Sequence, residues 1–280
     1  MRVSCELLGG SFELPAPPRR IVSLFSGATE TVAALGGRDL LVGVSPYCAR
    51  YVEGLEAPVV GDYVRADADR LRAVSPDLVL LTSGVQLPLA RRLAAAGLPA
   101  YALPVPASRF GILENVVTVG ALVGRVEAAR ALADGLEAGF AARLAARASR
   151  RPRVYAELWF GRHPRTTGGR TFIHDLIELA GGDNVFGSLA GGYLPLDLAA
   201  VEASRPDVLV LFSEPEFPVA PGPLLAKRGW DRLDGLRVVV STVDRGRNLI
   251  HDGPSFAETA RWLSESLAGA SAGGQCGGSA

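Results

Sequence analysis

The sequence has 280 residues, no formal net charge and 48% hydrophobic residues, enough apolar material for the core of one large domain or two modest ones. A neutral chain argues against a nucleic-acid-binding protein, because such proteins need a basic face. The three cysteines, Cys5, Cys48 and Cys276, are too few and too widely spaced for a disulfide framework or a CxxC metal site.

The first half of the chain alternates apolar runs with amphipathic segments. RIVSLF at residues 20–25 predicts a buried strand, and Ser26 is suited to cap the helix that follows. LRAVSPDLVLL at residues 71–81 predicts a short helix, a Pro-Asp break and a strand that is apolar on both faces, which is typical of a parallel sheet.

The opening MRVSCELLGGSFELPAPPRRIV has no long apolar signal-peptide core. We therefore expect either a cytoplasmic chain or a mature chain whose signal has been removed.

An Ala-rich helical segment at residues 109–149 leads into a second half with the same pattern. RVYAELWF at residues 153–160 predicts its first strand, and VEASRPDVLVL at residues 201–211 repeats the helix, the Pro-Asp break and the apolar strand. DLIELAGGDNVFG at residues 175–187 likewise matches ETVAALGGRDLLVG at residues 30–43, with Gly-Gly at the predicted end of each helix. We predict an α/β protein with an amino-terminal lobe at 1–108, a connecting helical segment at 109–149, a carboxy-terminal lobe at 150–268 and a flexible tail at 269–280.

The loops after the predicted strands carry the candidate ligand-binding residues, because ligands of open parallel sheets bind beyond the carboxyl ends of the strands. Hydroxyl and helix N–H groups, aromatic rings and charged side chains would all serve such a site. The candidates are Ser26, Gly27, Tyr47, Tyr63, Ser83, Trp159, Phe160, Arg162, Tyr193, Asp244 and Arg245. Ordinary structural roles remain open: helix capping for Ser26, core packing for Trp159 and solubility for the arginines.

Motifs that carry catalysis or nucleotide binding do not occur in the sequence. It contains no GxGxxG, no GxxxxGK[ST], no HExxH pair and no GxSxG elbow. We therefore expect no catalytic residues and no required cofactor. His163 and His251 lie on candidate binding loops and are candidate axial ligands for the metal of a bound chelate, with surface or capping positions as the alternative.

Six blocks of sequence follow one another from about residue 19 to residue 267: RIVSLFSGATETVAALGG, VGVSPYC, VGDY, SPDLVLL, TTGGRTFIHDLIELAGGDNVF and RPDVLVL. In this order they resemble the helical-backbone periplasmic binding proteins for cobalamin, haem and ferric siderophores, and the cobalamin-binding branch most. The resemblance implies two Rossmann-like lobes with mostly parallel sheets, a long backbone helix that joins them and a ligand cleft between them. It also implies a periplasmic, non-enzymatic protein that delivers its ligand to an ABC importer permease. We expect it to be a monomer.

Members of this family dock on the importer through one acidic residue in each lobe, seven residues before the Pro-Asp break. Asp69 occupies this position in the first half of the chain. The second half has Ala199 there, and Asp197 is the nearest carboxylate. Asp69 and Asp197 are therefore the docking candidates, and coupling to an importer stays open.

Cobalamin is the first expected ligand, because Tyr47, Tyr63, Trp159 and Tyr193 suit a broad and partly apolar ring. Haem and a ferric siderophore are the alternatives. A different class of function is a cytoplasmic metal-cofactor-handling enzyme on a duplicated α/β fold. That enzyme would need metal ligands such as Cys48, His163 and His251.

Overall fold

A four-stranded parallel sheet organises the first of two compact units, which contains residues 1–138 and 251–255. The computed structural model describes residues 1–233 and 235–268, so the predicted tail at 269–280 lies outside the described residues. The elements of this unit are β1 (Arg2–Cys5), β2 (Gly10–Glu13), β3 (Ile21–Ser23), α1 (Ser26–Ala34), β4 (Leu41–Val44), α2 (Ala68–Ala73), β5 (Leu78–Thr82), α3 (Leu87–Ala95), β6 (Ala100–Leu103), α4 (Arg109–Leu122) and α5 (Val126–Ala145), the last of which continues into the second unit. The strand order is β4-β3-β5-β6, and every residue of β3 and β5 is buried. Parallel pairing of such apolar strands confirms the predicted class of sheet.

The segment at residues 109–149, predicted to be helical, contains the two helices α4 and α5. The chain leaves α4 at Val123, and Gly124 takes a φ of +71°, a backbone conformation that glycine adopts without strain. Arg125 then donates its N–H to the carbonyl of Gly120, which closes the end of α4 before α5 begins. The division between the two compact units falls inside α5, after Ala138.

The second unit, residues 139–250 and 256–268, has a mixed sheet. Its elements are β7 (Arg153–Phe160), β8 (His163–Thr167), α6 (Phe172–Leu179), β9 (Asp183–Asn184), β10 (Tyr193–Pro195), α7 (Leu198–Ser204), β11 (Val208–Ser213), α8 (Pro221–Arg228), β12 (Arg237–Ser241) and α9 (Phe256–Ala268). The order is β10-β8-β7-β11-β12, with β9 also pairing β7. Strands β7, β11 and β12 are parallel, whereas β8 is antiparallel to β7 and β10. The segment that follows Trp159, expected to be a loop, is therefore largely a hairpin.

The internal repeat in the sequence corresponds to a repeated hydrogen-bond pattern, one copy in each unit. Asp77 of the first Pro-Asp pair accepts from the backbone N–H of Arg20 at 3.0 Å, and Asp207 of the second accepts from that of Arg153 at 2.7 Å. The guanidinium groups of these two arginines donate to carbonyl oxygens at the ends of α2 and α7, respectively. The Pro-Asp break thus fixes where the next apolar strand starts beside the opening strand of its unit.

Candidate functional site

The carboxyl ends of the parallel strands bring the predicted residues of the first unit to one edge of its sheet. Ser26 and Gly27 follow β3, Tyr47 follows β4 and Ser83 follows β5. Ser26 and Tyr47 are half-buried, and Tyr63 is 39% exposed. The hydroxyl of Ser83 accepts the backbone N–H of Val105 at 2.8 Å, so it holds the loop after β6 in place.

A buried polar cluster lies directly behind Ser26. The Ser26 Oγ is 3.1 Å from His251 Nδ1, and His251 Nε2 is 2.7 Å from Glu30 Oε2. The same Glu30 oxygen accepts the backbone N–H of Ser255 at 3.1 Å and its hydroxyl at 3.0 Å. Glu30, His251 and Ser255 are each at most 3% exposed. Because both ring nitrogens of His251 have partners in this cluster, neither is directed at a metal of a bound ligand.

Two further contacts lock this cluster. The His251 ring stacks on Tyr51 with 3.8 Å between ring centroids and an interplanar angle of 8°. The neighbouring Asp252 packs against Gly27 so closely that a Cβ on Gly27 would lie 2.4 Å from Asp252 Oδ1. Burial raises the pKa of the Asp252 carboxyl. Gly27 is thus required for packing as well as for its predicted place at the helix start.

Gln86, which is fully buried, joins the end of β5 to the loops that contain Leu24 and Tyr63. Its side-chain N–H groups donate to the carbonyls of Leu24 at 3.1 Å and Tyr63 at 3.0 Å, and its carbonyl accepts the N–H of Thr82 at 2.7 Å. Each of these three segments contains a predicted site residue or lies next to one: Ser26, Tyr63 or Ser83. Val85, next to Gln86, is 74% exposed and adds an apolar side chain beside the loop of Tyr63.

Aromatic side chains collect at the turn between β7 and β8 in the second unit. Phe160 meets Tyr193 edge to face with ring centroids 5.8 Å apart. Phe217, 45% exposed, lies beside the turn, 3.8 Å from where a Cβ of Gly161 would stand. Glu214 binds the loop after β11 to this turn by accepting the Gly161 N–H at 2.6 Å. We call Phe160, Tyr193 and Phe217 the aromatic patch.

Trp159 faces the interior of its unit rather than standing free. Its indole N–H donates to Glu157 Oε1 at 2.7 Å, and its ring packs with the core formed around Tyr155. Glu157 is fully buried, accepts the Tyr155 hydroxyl at 2.8 Å and binds both terminal nitrogens of Arg228 at 2.7 and 2.9 Å. Burial, with the charge of Glu157, raises the pKa of Tyr155, which therefore stays a donor. The half-buried Trp159 can offer a ligand only part of its surface.

The remaining predicted residues of the second unit lie at its surface. Arg162 and His163 are exposed and adjacent on the turn that leads into β8. Asp244 and Arg245 follow β12 and are also exposed. The guanidinium of Arg245 binds Glu258 of α9, with an Nη2–Oε1 distance of 2.7 Å, so its charge is already paired within the unit.

The two docking candidates differ in their local roles. Asp69 lies on α2 with 88% of its side chain exposed, and it pairs with Arg72 one turn further on. Asp197 precedes α7 and caps it, because its side chain accepts the N–H of Ala200 at 3.1 Å. Asp67 caps α2 in the same way. Asp197 is therefore the counterpart of Asp67, and Ala199 is the counterpart of Asp69.

Cys48, one of the metal ligands that the enzyme alternative would need, lies among hydroxyl groups. Cys48 is buried with its Sγ 2.9 Å from Thr29 Oγ1 and 3.1 Å from Ser45 Oγ, and burial raises the pKa of this thiol. Within residues 1–233 and 235–268, no three His, Cys, Asp or Glu side chains are grouped so that they could hold a metal ion. Over the same residues, none of the helices combines the length and the apolar character that crossing a membrane requires.

Sequence reasoning missed Glu30, Tyr51, Gln86 and Phe217 as residues that shape these surfaces. Glu30 and His251 are 221 positions apart, so no local pattern could pair them. A signal did exist for Gln86, a polar residue surrounded by the apolar run and the helix of residues 78–95, because a buried amide needs partners.

Comparison with known proteins places these features in a family. A family model described as periplasmic binding protein matches residues 21–234. A cobalamin-binding protein of Halobacterium salinarum is 32% identical over 204 residues, which are 70% of this chain and 54% of that protein. A vitamin B12-binding protein of Photorhabdus laumondii is 26% identical over 204 residues, covering 72% of this chain and 73% of the relative. The chain thus spans about half the length of the first of these relatives.

Solved structures show the same fold. The periplasmic haem-binding protein RhuT from Roseiflexus sp. RS-1, in its apo form, matches with a TM-score of 0.73 and 24% identity over 90% of this chain and 98% of that one. The periplasmic vitamin B12 binding protein BtuF of Vibrio cholerae matches with a TM-score of 0.67 and 21% identity over 91% of this chain and 99% of that one. Together with the repeated α/β pattern, the match over residues 21–234 confirms the resemblance drawn from the sequence: the chain belongs to the periplasmic binding protein family.

Proposed function

We propose that this chain is the substrate-binding protein of an ABC-type importer and that its ligand is a corrinoid such as cobalamin. The observation that carries the proposal is that each unit exposes large apolar side chains near the carboxyl ends of its parallel strands. In the first unit these are Tyr63 and Val85; in the second they are Tyr193 and Phe217, exposed by 39–74%. Exposed apolar groups of this kind, near the strand ends where α/β sheets bind ligands, suit a broad ring with apolar faces.

The relatives narrow the choice of ring. The two most informative relatives carry names that refer to cobalamin or vitamin B12, at 32% and 26% identity. A corrinoid also has peripheral amides, for which Ser26, the N–H groups at the start of α1 and Arg162 are suitable partners. We place the protein outside the cytoplasm, as its family suggests, and expect it to work as a monomer with a permease as partner.

Haem is the second candidate because of one feature of the β7–β8 turn. The exposed His163 could bind a haem iron, and the adjacent exposed Arg162 could pair with a propionate. This arrangement suits a carboxylate-bearing iron macrocycle better than a corrinoid. Of the two histidines proposed from the sequence as axial ligands, only His163 is retained, because His251 has both nitrogens in the buried cluster.

A ligand panel tests the proposal. The purified chain is mixed with cyanocobalamin, haemin or a ferric siderophore, passed through a desalting column and examined by visible absorbance and thermal melting. We expect cyanocobalamin to co-elute with the protein and to raise the melting temperature as its concentration rises. If only haemin co-elutes, and if His163→Ala abolishes this co-elution, haem would replace the corrinoid as the proposed ligand.

Docking on a permease is proposed through Asp69, whose carboxylate lies at the surface of α2. Asp69→Arg should leave cyanocobalamin affinity unchanged and weaken import by a reconstituted permease. Ala199→Asp, which supplies the carboxylate that the second unit lacks, should strengthen the same step. If neither substitution changes the import rate, Asp69 is not the docking residue.

A further inference from the structure

The direction of the hydrogen bond at Ser26 is set by the buried cluster behind it. Glu30 Oε2 lies within 3.1 Å of three groups: the Ser255 N–H, the Ser255 hydroxyl and His251 Nε2. The Ser255 N–H and hydroxyl both donate to this oxygen, and an oxygen that accepts from two donors, as a carboxylate or as the carbonyl oxygen of an acid, has no hydrogen to give to His251. His251 must therefore carry its hydrogen on Nε2 and donate it to Glu30.

A neutral imidazole that carries its hydrogen on Nε2 has a bare Nδ1, and a bare ring nitrogen only accepts. Ser26 Oγ is 3.1 Å from that Nδ1, so the Ser26 hydroxyl has to donate its only hydrogen to His251. What the half-buried Ser26 then presents outward is the acceptor side of its oxygen. The stacking of His251 on Tyr51, at 3.8 Å between centroids, keeps the ring from turning to offer the other nitrogen.

We propose that Glu30 and His251 act as positioning residues that make Ser26 a hydrogen-bond acceptor towards the ligand, so that Ser26 selects an amide N–H over a carboxylate. The inference rests on the proposed function, because it takes Ser26 as a ligand contact. It goes further by naming the chemical group that this position recognises. Corrinoids with peripheral carboxamides satisfy it, and macrocycles that present carboxylates do not.

The test compares ligands that differ by one group. Cyanocobalamin and its three isomeric propionic acid derivatives, each with one propionamide hydrolysed to a carboxylate, are titrated into the full chain at pH 8. At least one acid should bind roughly tenfold more weakly than cyanocobalamin, since an acceptor would face an acceptor.

Three variants separate the proposed hydrogen-bond chain, in which Ser26 donates to His251 and His251 donates to Glu30, from a merely structural role of these residues. Ser26→Ala should reduce the difference between that acid and cyanocobalamin to about twofold or less, because the acceptor is gone. Ser26→Thr keeps the hydroxyl and should keep the discrimination. His251→Gln retains a donor near the Nε2 position for Glu30 but removes Nδ1, so Ser26 can donate outward and the discrimination should disappear or reverse.

A measurement on the unmodified protein guards against variants that fail to fold. The ¹⁵N chemical shifts of His251 at pH 8 should show a protonated Nε2 and a bare Nδ1. A hydrogen on Nδ1, equal binding of all three acids and cyanocobalamin, or unchanged discrimination in Ser26→Ala would each overturn the inference. Absence of cyanocobalamin binding to the wild type would instead overturn the proposed function. The ¹⁵N shifts would still show which nitrogen of His251 carries the hydrogen.

Discussion

Gly27 shows how a single residue at the site depends on a distant part of the chain. Its Cα faces Asp252, which lies in the short segment 251–255 that belongs to the first unit although the preceding and following residues belong to the second. The absence of a side chain at Gly27 lets this segment approach α1. The same approach brings His251 and Ser255 to Glu30.

Gly27→Ala should therefore destabilise the protein by about 1–3 kcal/mol, the usual effect of overpacking. The new Cβ would lie 2.4 Å from Asp252 Oδ1 and 3.3 Å from the Asp252 backbone. Gly135→Ala is the matched control, because Gly135 is exposed on α5 and a Cβ there meets nothing within 4 Å. This control should stabilise by about 0.5–1 kcal/mol. Chemical denaturation measures the change in the free energy of unfolding for both variants. A change of the same sign in both would contradict the packing described at Gly27.

Asp252 gives the protein a pH dependence with a definite sign. Burial raises the pKa of its carboxyl in the folded state, so its contribution to stability is greatest below the ordinary aspartate pKa and is lost as pH rises through the raised value. Asp252→Asn cannot ionise and should be more stable than the wild type at pH 7.5. The difference in melting temperature should shrink towards pH 4. A difference that grows on acidification would show that ionised Asp252 is stabilised by its surroundings.

At the scale of elements, the clearest contrast lies between two Arg–Glu pairs of the second unit. Arg228, at the end of α8, binds Glu157 in the middle of β7, with side chains 8% and 0% exposed. Arg245 and Glu258 form a pair of similar geometry with side chains 46% and 37% exposed. The first pair fixes a helix against the sheet; the second is open to solvent.

Arg228→Ala should destabilise by about 3–5 kcal/mol, because it leaves the charge of Glu157 buried and unpaired. Arg245→Ala, the exposed counterpart, should change stability by at most about 1 kcal/mol. Thermal and urea unfolding of the two variants, with Trp fluorescence as the signal, provide the comparison. Similar losses in both would mean that Glu157 is not held as a buried carboxylate.

The repeated Pro-Asp breaks and apolar strands were predictable, because each is a continuous run of sequence, LRAVSPDLVLL and VEASRPDVLVL, that occurs once in each half. The hydrogen bonds of Asp77 and Asp207, which join residues 57 and 54 positions apart, were not predictable in this way. The β7–β8 hairpin was missed, although Gly161, with a φ of +59°, supplies the turn that such hairpins need. The arginines and the histidine of this segment suggested a loop, whereas they lie at the exposed start of β8, and its end at Thr166 and Thr167 is buried.

For the candidate site, the sequence predicted which strand ends carry candidate residues but not the contacts of their side chains. Trp159 stays a predicted ligand contact, and the hydrogen bond from its indole N–H to Glu157 was not predicted. Phe217, which no motif marks, is more exposed than Trp159 and lies at the same turn. The turn is also bound by Glu214 across 53 positions, and Glu157 is bound by Arg228 across 71 positions. Periodicity and spacing do not reveal contacts between residues so far apart in sequence.

At the scale of the whole molecule, the proposed ligand should depend on the aromatic patch. Tyr193→Ala removes a ring that meets Phe160 and should weaken cyanocobalamin binding by about 1–3 kcal/mol. Leu198→Ala is the matched control, because Leu198 on α7 is also 40% exposed and lies outside the patch. Titration calorimetry of both variants checks the difference. Equal losses would mean that the patch is not where the ring binds.

We propose that this member of the periplasmic binding protein family binds a corrinoid, and titration calorimetry of cyanocobalamin into the full wild-type chain is the decisive measurement. We expect a saturable isotherm with one ligand per chain, and a rise in melting temperature that follows ligand concentration. A titration without binding heat at several temperatures, together with an unchanged melting temperature at saturating cyanocobalamin, would contradict it.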